Sequence, residues 1–128
     1  SQIIEKGNNK IILDAYNANP TSMVAALEHF SNLKDDTKIA FLGDMFELGK
    51  DANREHQAIA DLATNLDFDK VYLIGKNFYK TKINTKDTEL YETFEALKEN
   101  FNTIAIDNAT LLIKGSRGMA LERLLDLL

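Results

Sequence analysis

"KIAFLGDMFELGKDANREHQAIADLATNLDFDKVYLIG", residues Lys38 to Gly75, decides the fold. It begins and ends on short β-rich runs, "KIAFLG" and "KVYLIG". Between them Ile59, Leu62, Ala63 and Leu66 recur at helical spacing. Strand, helix and strand in succession are the unit from which a parallel sheet flanked by helices is built. The same alternation extends outward. Upstream, "QIIE" (Gln2 to Glu5) is joined through "KGNNK" to "IILD" (Ile11 to Asp14), and the Gly-Asn-Asn turn predicts a hairpin, so one edge strand should be antiparallel. Downstream, "TELY" (Thr88 to Tyr91) and "ATLLIK" (Ala109 to Lys114) read as strands, while the short "IAI" around Ile104 is ambiguous. Further helical faces are carried by Met23, Leu27 and Phe30, by Phe94, Leu97 and Phe101, and by Leu121, Leu124, Leu125 and Leu128. The prediction is an α/β domain with about six strands, mostly parallel, with one antiparallel edge strand.

The chain of 128 residues is about one domain long, and 45% hydrophobic with 27% charged residues is the balance of a globular protein with a buried core. No internal repeat, low-complexity tract or flexible linker divides it, so residues 1–128 are expected to form a single domain. Fifteen basic against twenty acidic residues leave a net charge of -5, with no basic tract to neutralise a phosphate backbone or an anionic membrane. Neither nucleic acid nor membrane is an expected partner. The lack of cysteine excludes disulfides, thiolate chemistry and cysteine-based metal sites. No apolar run approaches the roughly 20 residues of a membrane span and the charged start is no signal peptide, so the expected location is the cytoplasm.

In such a sheet ligands bind beyond the carboxyl ends of the strands. Three loops there carry unusual residues and should share one rim: Asp14 to Ser22, Gly43 to Asp51, and Lys114 to Met119. In the first, Asn17 and Asn19 offer donors and acceptors, Pro20 pre-sets a helix start, and Asp14 can accept hydroxyl hydrogen bonds, as from a ribose. The competing reading is that Asn19, Thr21 or Ser22 caps the helix and Asp14 satisfies nearby amides. In the second, Asp44 and Glu47 flank Met45 and Phe46; either could touch a metal or a substrate amine, but spacing alone favours capping and solvated groups. His56 falls on the buried side of its helix and reads as a structural histidine; with His29 at the surface there is no zinc signature. The third loop joins Lys114, Ser116 and Arg117 to two glycines, a composition suited to an anion or to a plain glycine turn. The chain contains neither the phosphate-binding pattern Gly-x-x-x-x-Gly-Lys-Ser/Thr nor a Gly-x-Gly-x-x-Gly fingerprint.

"DAYNANPTSM", "FLGDMFELG", "REHQAIA" and "LLIKGSRGMALE", in this order and spacing, closely resemble the C-terminal domain of the Mur ligase family, over about Ile11 to Leu128. Tyr-Asn-Ala-Asn-Pro and Lys-Gly-Ser-Arg-Gly resemble the family member that acts on D-alanyl-D-alanine. The resemblance implies a Rossmann-like, three-layer domain that swings against a central domain to close the site. It implies an ATP-dependent, monomeric enzyme of peptidoglycan synthesis that joins D-alanyl-D-alanine to UDP-N-acetylmuramoyl-tripeptide, phosphorylating the tripeptide carboxylate before the dipeptide amine attacks. It also implies that the P-loop and Mg2+ ligands lie in the central domain and the UDP site in the N-terminal one, neither being part of this chain, so no catalytic or metal-binding residue is expected here. By position Asp14, Tyr16, Asn17 and Asn19 correspond to the ribose and adenine side of the ATP site. Lys114, Ser116 and Arg117 correspond to the dipeptide side, and Asp44 and Glu47 to the interdomain cleft.

The alternative is a receiver-like phosphoacceptor signalling domain, whose strand-end acids and lysine Asp14, Asp44 and Lys114 imitate. Against it, "KVYLIG" runs into Gly-Lys rather than an acid, and Lys114 leads into Gly-Ser-Arg rather than a proline turn. A plain dinucleotide-binding domain is weaker still.

Overall fold

The chain adopts a six-stranded mixed sheet in a computed structural model that describes residues 1–35, 37–101 and 106–128. Strands β1 (Gln2–Lys6) and β2 (Asn9–Asp14) form the expected antiparallel hairpin. Its turn is Gly7-Asn8, and Asn9 already pairs with Lys6. Gly7 has φ +60, which a side chain would make costly and which a two-residue hairpin turn with glycine first requires. The remaining strands, β3 (Lys38–Gly43), β4 (Lys70–Ile74), β5 (Thr88–Tyr91) and β6 (Thr110–Lys114), join in the order β1-β2-β6-β3-β4-β5, all parallel from β2 onward. The expected sheet and its single antiparallel edge are therefore both present. Of the ambiguous run around Ile104, residues 104 and 105 lie outside the described residues.

Two apolar layers enclose the sheet. Helices α1 (Pro20–Ser31) and α2 (Ala52–Asn65) cover one face, where Met23, Leu27, Phe30, Ile59 and Ala63 meet Ala40, Leu42, Val71, Leu73 and Leu112. A short helix α3 (Lys76–Tyr79), not foreseen from the sequence, adds Phe78 to this face. The other face is covered by α4 (Phe94–Glu99) and by the last leucines, which pack on Ile11, Phe41, Ile74 and Ile113. Leu121, Leu124 and Leu125 lie on a 3-10 helix over Leu121–Leu127, not an α-helix, with Leu128 as its C-cap, and of these Leu121 and Leu124 alone are fully buried. An i, i+3 spacing fits either helix, which is why the sequence could not separate them. With both faces covered, the central strands β3, β4 and β6 are buried almost throughout, the state that parallel sheets require. Among the described residues no helix is long and apolar enough to cross a membrane.

Candidate functional site

The polypeptide leaves β2 toward the α1 face and leaves the adjacent β6 toward the opposite face. Neighbouring strands that diverge in this way open a crevice at their carboxyl ends, where open α/β sheets bind ligands. A cleft of about 370 Å³ lies there, lined by Leu13, Asp14, Tyr16, Arg117 and Glu122 among others.

The three loops expected on one rim are bonded into a single unit. Asp14 and Lys114 are register partners at the ends of β2 and β6. The Lys114 ammonium donates to Asp14 Oδ2 at 2.8 Å and to the Asn17 carbonyl at 3.0 Å. The Lys114 side chain is 2% exposed, whereas Asp14 keeps 27% of its own in the cleft. Ser116 ties the same loop to the other two. Its hydroxyl accepts from the Phe46 amide at 2.8 Å and reaches the Ala18 carbonyl at 3.4 Å, while its amide donates to the Asp44 carbonyl at 3.0 Å. Lys114 and Ser116, which the resemblance sets on the dipeptide side, are buried and brace the loops to one another. Arg117, which follows them, is exposed, and its guanidinium lies 5.2 Å from the centre of the Tyr16 ring.

The first loop resolves its two readings residue by residue. Asn19 caps α1: its side chain accepts from the Ser22 amide at 2.8 Å and its own amide donates to Ser22 Oγ at 3.0 Å, with Pro20 at the first helical position. Asn17 and Tyr16 are exposed, Tyr16 at 72%. Asp14 is available through the oxygen that Lys114 leaves free.

The second loop is mainly structural. Asp44 is 3% exposed, and its carboxylate accepts from the amides of Asn77 at 2.9 Å and Phe78 at 3.0 Å, capping α3 from across the rim. His56 is fully buried, donating from Nδ1 to the Ala52 carbonyl at 2.6 Å and accepting at Nε2 from the Met45 amide at 2.9 Å, which fixes the neutral tautomer. It holds the loop, as its helical position suggested. Glu47 is exposed at the loop's tip with φ 65. The partnership between Asp44 and α3 was not legible in the sequence, because a four-residue helix has too few positions to show a period.

The receiver-like alternative needs free acids at these strand ends. Asp44 is consumed by two amides and Asp14 shares its carboxylate with Lys114, and among the described residues no group of three or more potential metal ligands occurs.

The chain belongs to the Mur ligase family: the family's model, described as "Mur ligase, glutamate ligase domain", matches residues 1–117. It is 34% identical to the UDP-N-acetylmuramoyl-tripeptide–D-alanyl-D-alanine ligase of Rickettsia prowazekii, over 98% of this chain and 28% of that protein. Its fold superposes on MurF from Acinetobacter baumannii with a TM-score of 0.80 at 29% identity, covering 98% of this chain and 29% of that one. A MurF ligase from Thermotoga maritima in complex with ADP shares the fold at 24% identity, with a TM-score of 0.78 over 98% of this chain and 29% of that chain. The chain therefore spans a little over a quarter of the length of these proteins. The match leaves the receiver-like reading without support.

Proposed function

We propose that this chain is the C-terminal domain of a cytoplasmic, ATP-dependent ligase that adds D-alanyl-D-alanine to UDP-N-acetylmuramoyl-tripeptide in peptidoglycan synthesis. The observation that carries the proposal is the rim. The two loops that resemble those of the D-alanyl-D-alanine ligase meet at one crevice and are braced by Lys114 and Ser116. The relatives' names supply the reaction.

On this reading the residues present fit the sugar side of a nucleotide and leave its phosphates to another domain. The free oxygen of Asp14 is an acceptor for a ribose hydroxyl, and exposed Asn17 offers an amide beside it. Asn19 keeps its amide nitrogen for a ligand while its oxygen caps α1. Both Asp44 oxygens are taken by the α3 amides, and Mg2+ would be carried by a central domain together with the P-loop. ATP would supply the phosphoryl group that activates the tripeptide carboxylate. The domain's part is to close over the nucleotide and to present the dipeptide, with Asp44 holding the loop whose exposed Glu47 faces the central domain.

Arg117 is the residue for the dipeptide's carboxylate. It is the exposed cation of its loop, and a guanidinium grips a carboxylate through two parallel hydrogen bonds. In the full-length ligase Arg117→Ala should raise the dipeptide KM by about one to two orders of magnitude, the size of a lost charged hydrogen bond, and leave the ATP KM nearly unchanged. Steady-state kinetics with each substrate varied in turn is the check. Unchanged dipeptide KM and kcat would remove Arg117 from the site, and a wild-type protein whose ATP turnover ignores the dipeptide would remove the proposal itself.

A further inference from the structure

Tyr16 lies in the loop proposed for the nucleotide, yet its ring lies beneath Arg117, the residue proposed for the dipeptide. The residue is 72% exposed, an unusual setting for a large aromatic with no core to fill. What it does contact is Arg117, whose guanidinium carbon lies 5.2 Å from the ring centre. Among the described residues the ring is the one partner of that guanidinium. Lys114 and Ser116, the other two polar side chains of the loop, are buried and engaged. Any grip on an anion from this loop therefore depends on how Arg117 is held.

An arginine on an exposed turn has a long, freely rotating side chain, and fixing it is the main cost of using it. A ring beneath the guanidinium reduces that cost. The attraction of the cation to the ring face confines the planar group, while its N–H donors, which lie in the plane, stay free to meet a carboxylate. We infer that Tyr16 is the positioning residue for Arg117, and through it a determinant of affinity for the carboxylate of the dipeptide. The inference rests on the proposed ligase activity and on Arg117 as the carboxylate contact. It moves Tyr16 from the nucleotide to the dipeptide, and it links the two loops through the Tyr16–Arg117 contact.

The test uses the full-length ligase, with Tyr16→Ala and Tyr16→Phe made alone and Tyr16→Ala made also in an Arg117→Ala background. Dipeptide and ATP KM are measured for each. The exposure of Tyr16 makes folding insensitive to these changes, which a thermal melt checks. The expected result is a dipeptide KM raised about two- to five-fold in Tyr16→Ala, the size of an exposed cation–ring contact, with ATP KM unmoved. Tyr16→Phe, which keeps the ring face, should behave as wild type, and Tyr16→Ala should add nothing once Arg117 is gone. A change in ATP KM in place of dipeptide KM would return Tyr16 to the nucleotide and overturn the inference, as would full additivity with Arg117→Ala. Failure of the wild-type enzyme to ligate the dipeptide would overturn the underlying function as well, and is read directly from the control.

Discussion

Lys114 is an ammonium at 2% exposure, and a buried charge persists only where its partners replace water. It has two, Asp14 Oδ2 and the Asn17 carbonyl. The two members of the pair are not equivalent, because Asp14 keeps 27% of its side chain exposed. Removing the acid strands a buried cation, whereas removing the cation leaves an acid that water can reach. Asp14→Ala should therefore cost about 2–4 kcal/mol, somewhat less than a fully buried pair, while Lys114→Met, similar in volume, should cost less than about 1.5 kcal/mol. Urea unfolding of both variants checks the order, and the reverse order would mean that the pair does not hold the rim. The burial of Lys114 was legible only in part. A lysine running into Gly-Ser-Arg reads as a solvated cation, but the same lysine ends "TLLIK", and β6 proves to be a central strand covered on both faces, so the residue at its end inherits the burial of the strand.

At the scale of elements, β3, β4 and α3 are locked together by one carboxylate. Gly75, between β4 and α3, has φ +132, and a Cβ placed on it would meet Asp44 Cγ at 2.2 Å and Oδ1 at 2.3 Å. Glycine is therefore required twice, by the backbone and by the space the carboxylate occupies. Gly75→Ala should displace Asp44 from the amides of Asn77 and Phe78, unseat α3 and lower stability by about 3 kcal/mol or more. A denaturation midpoint close to that of the wild type would show that the contact is dispensable. This lock also marks how far the pattern of residues reads. The strands and α1, α2 and α4 follow from apolar periodicity and from caps such as Asn19, which are local signals. The lock joins Asp44 to residues more than thirty positions away, and no local period records such a pair. The Arg117–Tyr16 contact escaped notice for the same reason: the two lie a hundred residues apart and meet only because β2 and β6 are neighbours in the sheet.

The aromatic stripe across β3, β4 and β5 couples the stability of the whole sheet to alkaline pH. Phe41 and Tyr72 stack at 4.7 Å, and Tyr91 follows at 6.5 Å. Burial, reinforced by the charge of Glu89, pushes the Tyr72 phenol up from 10.0 to about 12, and burial with a hydrogen bond to Glu89 pushes Tyr91 well above its ordinary range. The fold thus favours the neutral phenols. That contribution is complete below pH about 10, where the unfolded tyrosines begin to ionise, and is lost as pH rises from there through about 12. Tyr72→Phe should be close to neutral at pH 7 and should lose stability less steeply than wild type between pH 10 and 12. Urea midpoints across that window check it, and parallel curves would show that Tyr72 is not the titrating group. Glu89 behaves in the opposite sense. Its hydrogen bond with Lys70 holds it below 4.5, so its small, solvent-screened contribution is present above that pH and fades as acid is added.

These 128 residues bury two apolar layers of their own, one on each face of the sheet, so the polypeptide should fold and unfold cooperatively by itself. Its chemistry should not follow. The rim supplies an acceptor for ribose and a cation for a carboxylate, groups that bind and orient, but the sequence lacks the phosphate-cradling glycine loop, and among the described residues no three potential metal ligands gather. Phosphoryl transfer depends on fixing the γ-phosphate and neutralising its charge, and positioning elsewhere on the nucleotide cannot substitute for that. The isolated chain should accordingly neither hydrolyse ATP nor ligate D-alanyl-D-alanine above background, even when its melting curve shows it folded. Phosphate release and product formation, measured on the folded chain with ATP, Mg2+, tripeptide and dipeptide all present, decide the matter. Turnover there would mean that the rim carries catalytic groups of its own and that Asp14 and Arg117 do more than hold substrates.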